Sequence, residues 1–486
     1  MFMKIGFTIL LLGVSALCGS GSAQPIVGEI HPLVFDNHED IGSLRSTHIL
    51  SDGEGHVVVF WNGELWALSD FSTIFARESF DYGITWSELP MVEREVQALL
   101  DFQGFQFLHS EFLPDDKIRL FAGVELNQLF VFPWLEINTI TYDSGNTPLV
   151  TREDFERGLY VNHPSQSQRM ITVEPDMYRL FFSIYDGPAA WQTTTSDGGA
   201  TWTALEDSPI VAESVSGFGD IQYANHPDGS IGALWENHDS SGNFNGGLHF
   251  ARSTDQGATW VYTDGVGGAS LPGRNRPQLA FSNGTWLGVF HHYPYAPGTN
   301  TVHNIYTVRS TDNGATWTAP TPVHINNLPV DEALDSNMKL LALNNTFVVA
   351  WLSNNNLPES TDTPINLLYT YSENHGATWA SATLLADNAD NSFTFNYEDP
   401  FDIDYLGNDQ FFISWRGEQE NINLDPLTGV YYTTLTFPDL FPEPVPMPLI
   451  GAEGKPVQTL IHLGAILLLF CGLFVVSIRT MKSSAS

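Results

Sequence analysis

The chain has 486 residues, of which 43% are hydrophobic and 13% aromatic, so it can bury a large core and is not intrinsically disordered. Its 56 acidic residues outnumber its 19 lysines and arginines and give a formal net charge of −37 at pH 7. A surface this acidic disfavours nucleic acid and anionic lipid as partners, because both would repel it.

The first 23 residues have the pattern of a secretory signal peptide. Lys4 supplies the charged start, residues 5–19 form an apolar run, and the small residues at 21–23 offer a cleavage site before Gln24. We therefore expect the mature chain to be exported.

One short motif then recurs six times between residues 27 and 437, with steps of 54 to 62 residues. Its pattern is Ser/Thr-x-Asp-x-Gly-x-Thr-Trp, although the second copy has lost the Trp and the last has Asn in place of Asp. A fixed period of this length with strand-like filling is typical of propellers and other repeat architectures. The third positions of the six copies are Asp81, Asp143, Asp197, Asp255, Asp312 and Asn374.

Each copy lies between two strand-like runs, which indicates a hairpin turn. The Asp can accept hydrogen bonds from nearby backbone N–H groups, and the Gly supplies a positive φ. The Trp offers a large apolar face for packing between neighbouring sheets. These roles are structural, so the motif predicts a fold and not a catalytic site.

Two more strand-like runs precede each copy, so each unit reads strand, tight turn, strand, long loop, strand, motif and strand. Four-stranded antiparallel units repeated radially make a β-propeller. A seventh unit at residues 400–435 has three strands and no motif, and residues 29–35 would add its fourth strand and close the ring. The sequence thus predicts an all-β fold with seven blades, with six as the alternative.

The C-terminal part predicts a membrane anchor. Residues 459–478 form an uncharged apolar run that is long enough to span a bilayer, and the basic tail at 479–486 would lie in the cytoplasm. Residues 438–458 are rich in proline and would act as a stiff linker, although this layout also resembles a bacterial sorting signal. Both cysteines, Cys18 and Cys471, lie in apolar end segments, so no disulfide is expected in the propeller.

The repeated motif resembles the Asp box, or BNR repeat, of the sialidase superfamily. The resemblance covers residues 27–437 and implies a propeller more directly than it implies an activity. Sialidases hold the carboxylate of sialic acid with three arginines. In this chain, residues 44–47 keep only Arg45 of the family's Phe/Tyr-Arg-Ile-Pro motif.

Strand order places further candidates. The boxes share one face with the tight turns, whereas the long loops and the crossings between blades lie on the other face, where propeller ligands usually bind. Arg45 and Arg276 precede first strands and Arg416 follows a second strand, so all three are predicted on the loop face. Arginine binds carboxylates with a planar, bidentate fork. Ordinary surface ion pairs are the alternative interpretation.

The resemblance also implies a Tyr nucleophile whose proton is taken by a Glu. Tyr293 and Glu236 are both predicted on the loop face, where they could pair across two blades. Glu398 and Asp399 are candidates for general acid/base work in a glycosidase of another type. Rim or packing roles are the alternative for each of these residues.

No cofactor is predicted. The Asp/Asn cluster at 387–391 would allow structural calcium but matches no EF-hand loop, and no P-loop, zinc spacing or Ser-His-Asp signature appears. Three functions stay open. We favour a membrane-anchored propeller at the cell surface that recognises a glycan or another extracellular polymer. An exo-sialidase-type glycoside hydrolase and a protein-docking scaffold are the alternatives.

Overall fold

In the computed structural model, the described residues form seven antiparallel β-sheets. The predicted signal peptide at 1–23 and the predicted linker, membrane helix and tail at 438–486 lie outside the described residues. Among the residues described, no helix has the length and apolarity needed to cross a membrane. The described residues are 24–35, 41–65, 71–87, 91–95, 101–114, 117–128, 131–144, 156–162, 164–184, 190–204, 206–207, 218–237, 247–267, 274–292, 304–325, 335–354, 366–386, 401–419 and 427–437.

Two short strands near the N-terminus precede the first blade, and six blades of four consecutive strands follow. The N-terminal strands are β1 (Ile26–Val27) and β2 (His31–Phe35). Blades one to three are formed by β3 (Ile41–Ser51), β4 (Val57–Leu65), β5 (Phe71–Ser79) and β6 (Met91–Glu95); by β7 (Asp101–Leu113), β8 (Lys117–Gln128), β9 (Val131–Asp143) and β10 (Glu156–Asn162); and by β11 (Pro164–Glu174), β12 (Met177–Ile184), β13 (Ala190–Thr195) and β14 (Glu206–Asp207).

Blades four to six repeat the same order, and blade seven has three strands of its own. Blades four to six are formed by β15 (Phe218–Asn225), β16 (Ile231–Asn237), β17 (Leu248–Ser253) and β18 (Val261–Val266); by β19 (Arg274–Ser282), β20 (Thr285–His292), β21 (Asn304–Ser310) and β22 (Thr321–His324); and by β23 (Asp335–Leu343), β24 (Thr346–Ser353), β25 (Asn366–Ser372) and β26 (Thr383–Ala386). Blade seven contains β27 (Phe401–Gly407), β28 (Gln410–Gln419) and β29 (Leu427–Thr436).

The N-terminal strands complete blade seven, as the sequence predicts. Both β1 and β2 pair antiparallel with β29, for example through His31 opposite Tyr432. The blade therefore has five strands instead of the four expected, because two short segments pair with β29 one after the other. The first strands of neighbouring blades contact each other all the way round, and β27 of blade seven contacts β3 of blade one. Seven blades are thus confirmed over six.

The Asp boxes are hydrogen-bonded turns between third and fourth strands. Asp312 accepts a bond from Thr316 N at 2.9 Å and one from Thr316 Oγ1 at 2.6 Å. Ser310 Oγ donates to Asp312 at 2.8 Å and accepts from Gly314 N at 2.9 Å. Asn374 keeps the bond from the Thr378 backbone, but its amide donates to the Thr378 hydroxyl at 2.8 Å. The side chain of Asp143 lies outside the described residues.

Each complete box packs against the preceding blade. The Trp317 ring lies 5.0 Å, centroid to centroid, from that of Phe250 in blade four, which confirms the predicted packing of this Trp between sheets. A Cβ on Gly314 would overlap the Phe250 ring. The residue before the Gly also adopts a positive φ, 59° at Asn313, which the sequence analysis did not predict. The residues at this position in the other complete boxes are Tyr82, Gly198, Gln256 and His375.

The hydrophobic core lies between neighbouring blades. Val58 and Phe60 of blade one pack with Ile118 and Leu120 of blade two, and the other blades meet in the same way. Because each blade buries both faces against its neighbours, the sheets stack around a common axis. Nearly all of the loops on the predicted ligand face lie outside the described residues, so the structure describes the wall around the axis below them.

Candidate functional site around the propeller axis

The first strand of each blade borders the axis. Each first strand is the edge strand of its sheet, and it contacts the first strand of the next blade. They are β3, β7, β11, β15, β19, β23 and β27. These first strands form a wall around the axis. Side chains at the same level of this wall are therefore neighbours, although they come from seven different blades.

One position of the first strand is polar in every blade. It is the residue opposite Phe60, Phe121, Phe181, Leu234, Val289, Ala350 and Ser414 in the respective second strands. We name this set the axial ring; its members are His48, His109, Arg169, Gln222, Gln278, Lys339 and Asp402. The side chain of Arg169 lies outside the described residues, and its membership rests on register.

Three consecutive ring members, Lys339, Asp402 and His48, are in polar contact across the boundaries between blades. Lys339 Nζ lies 3.6 Å from Asp402 Oδ1, and Asp402 Oδ2 lies 3.0 Å from His48 Nδ1. His48 Nε2 in turn lies 2.9 Å from Ser110 Oγ of blade two. A chain of polar contacts thus runs from blade six through blades seven and one to blade two, with each side chain directed at the next blade.

The ring continues to blade three through His109, whose Nε2 lies 3.0 Å from Thr172 Oγ1. Burial lowers the pKa of His109 to about 4, and the nearby His48 adds to this effect. His109 is therefore a neutral imidazole at physiological pH, although 24% of its side-chain surface stays exposed.

Asp402 and Asp404 are two carboxylates on the same face of β27. Burial alone would raise the pKa of Asp402, but Lys339 and His48 outweigh it and lower the pKa to about 2. Burial raises the pKa of Asp404 to about 7. The charge of Asp402 also raises this pKa, whereas the hydrogen bonds from the Tyr405 and Ser51 N–H groups lower it. Near pH 7 one carboxylate is ionised and the other is close to half protonated.

Both carboxylates also bind the open edge of β3. Asp402 Oδ2 accepts a bond from Ile49 N at 2.9 Å, and Asp404 Oδ2 accepts one from Ser51 N at 3.2 Å. The two backbone N–H groups of blade one therefore point away from β4 and toward blade seven. This contact fixes where Asp402 and Asp404 stand relative to His48.

Two of the arginines predicted from the sequence lie in first strands of the propeller. Arg45 is in β3 and Arg276 in β19, three and two residues before ring members, so both first strands begin earlier than predicted. Their side chains lie outside the described residues. Tyr293 directly follows β20 and is also outside them, so the pairing of Tyr293 with Glu236 stays a prediction.

Glu236 and Arg416 occupy equivalent places near the ends of second strands. Each directly follows a buried tryptophan, Trp235 in β16 and Trp415 in β28. Glu236 is 2% exposed, whereas Arg416 is partly exposed. Both lie inside their strands, and their predicted roles in a ligand site stay predictions.

A Tyr–Glu pair does form among the described residues, but at the box end of the propeller. The Tyr178 hydroxyl donates to Glu111, and Arg119 Nη1 lies 2.5 Å from that hydroxyl and 3.2 Å from Glu111 Oε1. Tyr178 is fully buried, and burial raises the pKa of Glu111 in spite of Arg119. The cluster therefore links blades two and three and does not face the axis. No motif in the sequence indicates this pair.

The contact of Ser110, His48 and Asp402 is not indicated by the sequence either. Ser110 and Asp402 are 62 and 354 positions away from His48 in the sequence, so no local motif could reveal this contact. The axial ring has a weak signal in the repeat, since each first strand carries a polar residue at this one position. Within the described residues no group of three or more His, Cys, Asp and Glu is placed to hold a metal ion, and the cluster at 387–391 lies outside them.

Residues 162–398 match the family model of the BNR repeat-like domain. These residues contain blades three to six, so this part of the propeller is built of BNR-like repeats. This match confirms the resemblance that the Asp boxes indicate. A search among curated proteins gives no significant match to this BNR propeller.

Solved structures of similar fold share little sequence with the BNR propeller. A protein of unknown function from Dyadobacter fermentans is 14% identical with a TM-score of 0.44, covering 84% of this chain and 99% of its own. Trypanosoma rangeli sialidase in complex with sialic acid is 12% identical with a TM-score of 0.43, covering 85% of this chain, which spans 59% of the sialidase. Penicillium chrysogenum α-L-arabinanase complexed with arabinobiose is 12% identical with a TM-score of 0.43, covering 71% of this chain and 97% of its own. Likenesses at this level carry no argument about substrate or activity.

Proposed function

We propose that this BNR propeller recognises a glycan or another hydroxyl-rich polymer outside the cytoplasm, at the mouth of the axis above the axial ring. The observation that carries the proposal is the ring itself, in which all seven blades place a polar residue at one level of the wall. The side chains of His48, Asp402 and Lys339 are 23%, 14% and 18% exposed. They are thus held by the fold and still open to the axis.

The chemistry of the ring suits sugar hydroxyls, which both donate and accept hydrogen bonds. Gln278 offers an amide, His48 and His109 offer imidazoles, and Lys339 offers an ammonium group. A few convergent polar groups in a concave wall are what fixes the orientation of a small ligand.

The ring also differs in charge from the rest of the molecule. It contains Arg169 and Lys339 against one carboxylate, Asp402, although the whole chain carries a net charge of −37. A ligand with a carboxylate would therefore meet a locally less repulsive field at the axis than elsewhere on the surface.

A glycoside hydrolase is the second candidate. Two carboxylates whose pKa values are pushed apart, as in Asp402 and Asp404, are the usual basis for separate acid and base roles. Both carboxylates already accept hydrogen bonds from backbone N–H groups of β3. This favours a role of the pair in recognition over a role in catalysis. Sialidase-type catalysis through Tyr293, Glu236 and the three arginines stays the alternative predicted from the sequence.

Display at a membrane is part of the proposal. Its support is the sequence of residues 1–23 and 459–478, which have the patterns of a signal peptide and a spanning helix. Protease treatment of intact cells, followed by detection of the propeller and of the tail at 479–486, tests the topology. Cleavage of the propeller without permeabilisation is expected, and its protection would contradict display.

The test of recognition uses the two lysines of the propeller. The full chain in mild detergent is applied to a glycan array, and the affinity for the best ligand is measured by calorimetry. Lys339→Met removes a ring cation, and Lys117→Met removes an exposed lysine at the box end. We expect Lys339→Met to weaken binding roughly tenfold or more, as for loss of a charged hydrogen bond. Equal affinities of both variants and the wild type would contradict a ligand at the ring.

A further inference from the structure

We propose that Ser110 is a nucleophile for the hydrolysis of small carboxylic esters, with His48 as its base and Asp402 as the group that orients the imidazole. The three side chains come from the first strands of blades two, one and seven. Ser110 Oγ lies 2.9 Å from His48 Nε2, and His48 Nδ1 lies 3.0 Å from Asp402 Oδ2. A nucleophile, a base and an orienting carboxylate within hydrogen-bond reach are the arrangement that activates a serine.

Ser110 is an exception at its position. In the other six blades, the residue after the ring member is aliphatic or aromatic and packs in a hydrophobic cluster with the preceding blade. Ile49, for example, is 3% exposed in the cluster between blades seven and one. The other five residues are Met170, Tyr223, Leu279, Leu340 and Ile403. Packing therefore does not require a hydroxyl here, and blade two directs one at His48.

The imidazole of His48 is held in place on two sides. Its ring stacks with Phe107 at 5.6 Å and with Phe60 at 6.2 Å between centroids. Asp402 is fixed in turn by Ile49 N and by Lys339. The base therefore cannot easily rotate away from Ser110, which is the preorganisation that a catalytic group needs.

Charge sets the direction of proton transfer. The low pKa of Asp402 keeps its carboxylate ionised, so it accepts a hydrogen bond from His48 Nδ1–H and leaves Nε2 as an acceptor for the Ser110 hydroxyl. His109, next to Ser110, stays neutral and adds little repulsion when His48 becomes charged. The ionised Asp402 stabilises that imidazolium.

The backbone of blade two offers a donor for the carbonyl oxygen. In blade one the N–H of Ile49, one residue after the ring member, points off the sheet edge and binds a carboxylate. The N–H of Ser110 is its equivalent by register, since His48 and His109 both lie opposite a phenylalanine of the second strand. A nucleophile's own N–H is a common part of an oxyanion hole.

The reaction needs only the ester and water. Ser110 Oγ bonds to the carbonyl carbon as its proton moves to His48 Nε2. The bond from that carbon to the alkoxy oxygen breaks, and the leaving alcohol takes the proton from Nε2. Water then attacks the acyl-serine, gives its proton to His48, and the carboxylic acid leaves as Ser110 regains its proton.

The test is labelling of the full chain in mild detergent with a fluorophosphonate, which reacts with activated serines, followed by mass spectrometry of the peptides. We expect the adduct on Ser110. Hydrolysis of p-nitrophenyl acetate is measured in parallel for the wild type, Ser110→Ala, His48→Gln and Ser196→Ala. Ser196 is an exposed serine in an Asp-box turn and serves as the matched control.

We expect kcat/KM to fall about 1,000-fold or more in Ser110→Ala and His48→Gln and to stay unchanged in Ser196→Ala. Hydrolysis that persists in Ser110→Ala, or a folded wild-type protein without an adduct at Ser110, overturns the proposal. Because the adduct is mapped on the wild type, the result stands even where a variant does not fold. Glycan binding is a separate readout, so either proposal can fail without the other.

Discussion

The replacement Gly314→Ala tests whether the Asp boxes hold neighbouring blades together. Gly314 has a φ of 87°, a conformation that costs an L-residue about 1–2 kcal/mol. A Cβ there would also overlap the ring of Phe250, which is 1% exposed and packs with Trp286 and Trp317. Overpacking of a closed core costs about 1–3 kcal/mol. The free energy of unfolding should therefore fall by roughly 2–5 kcal/mol.

Gly229→Ala is the matched control, because Gly229 has a φ of 83° and no heavy atom within 4 Å of the added Cβ. It should lose only the backbone contribution, about 1–2 kcal/mol. Urea unfolding of both variants, followed by tryptophan fluorescence, gives the difference, which we expect to be about 1–3 kcal/mol. Equal destabilisation by Gly314→Ala and Gly229→Ala would refute the idea that the box presses on the preceding blade.

Three further predictions concern charge and closure. The hydrogen bond from the Thr316 hydroxyl lowers the pKa of Asp312 from 3.8 to about 2. The ionised carboxylate of Asp312 therefore stabilises the folded state above pH 3.8, and this contribution is lost as the pH falls through about 2. Thermal unfolding of Asp312→Asn should therefore differ most from the wild type at pH 7 and converge with it toward pH 2. Burial raises the pKa of Asp404 from 3.8 to about 7, so this carboxyl group ionises at a lower pH in the unfolded chain than in the folded one. The free energy of unfolding therefore falls as the pH rises from 3.8 to about 7. Asp404→Asn should gain in melting temperature relative to the wild type between pH 4 and 7 and level off above; a constant difference would contradict the assignment. Deletion of residues 24–35 removes both strands that pair with β29 and should abolish cooperative unfolding, as followed by circular dichroism; an unchanged transition would mean that blade seven needs no closure.

The sequence predicts the blades well because the box chemistry is local. Each box needs only residues within eight positions, as the bonds of Asp312 with Thr316 and Ser310 show, so the pattern survives in the sequence and marks the third and fourth strands. The closing strand was also predictable, since seven units of three or four strands leave a place for residues 29–35. The positive φ before each Gly was not, because Tyr82 or Gln256 carries no compositional sign of it.

The axial ring could not be predicted in the same way. His48, Ser110 and Asp402 meet only because the sheets close into a circle, and their spacing in the chain records nothing of that. Reasoning from the loop face selected Arg45 and Arg276 as residues outside the strands. The first strands extend beyond their apolar runs. Bulges near the N-terminal ends of β3 and β19 allow these strands to pair with β4 and β20 through polar residues as well.

The pairing of β2 with β29 joins the two ends of the propeller sequence. Thr433 Oγ1 bonds the carbonyl of Gly28 over a separation of 405 residues, and joining points so far apart has an entropic cost of about 5 kcal/mol beyond that of a minimal loop. High contact order of this kind slows folding. His48 and Asp402 stand on opposite sides of that junction, so their contact forms only in a completely synthesised and closed ring. A truncated or half-folded chain would display its boxes but not its axial contacts, and chemistry at the axis would report that biosynthesis has finished.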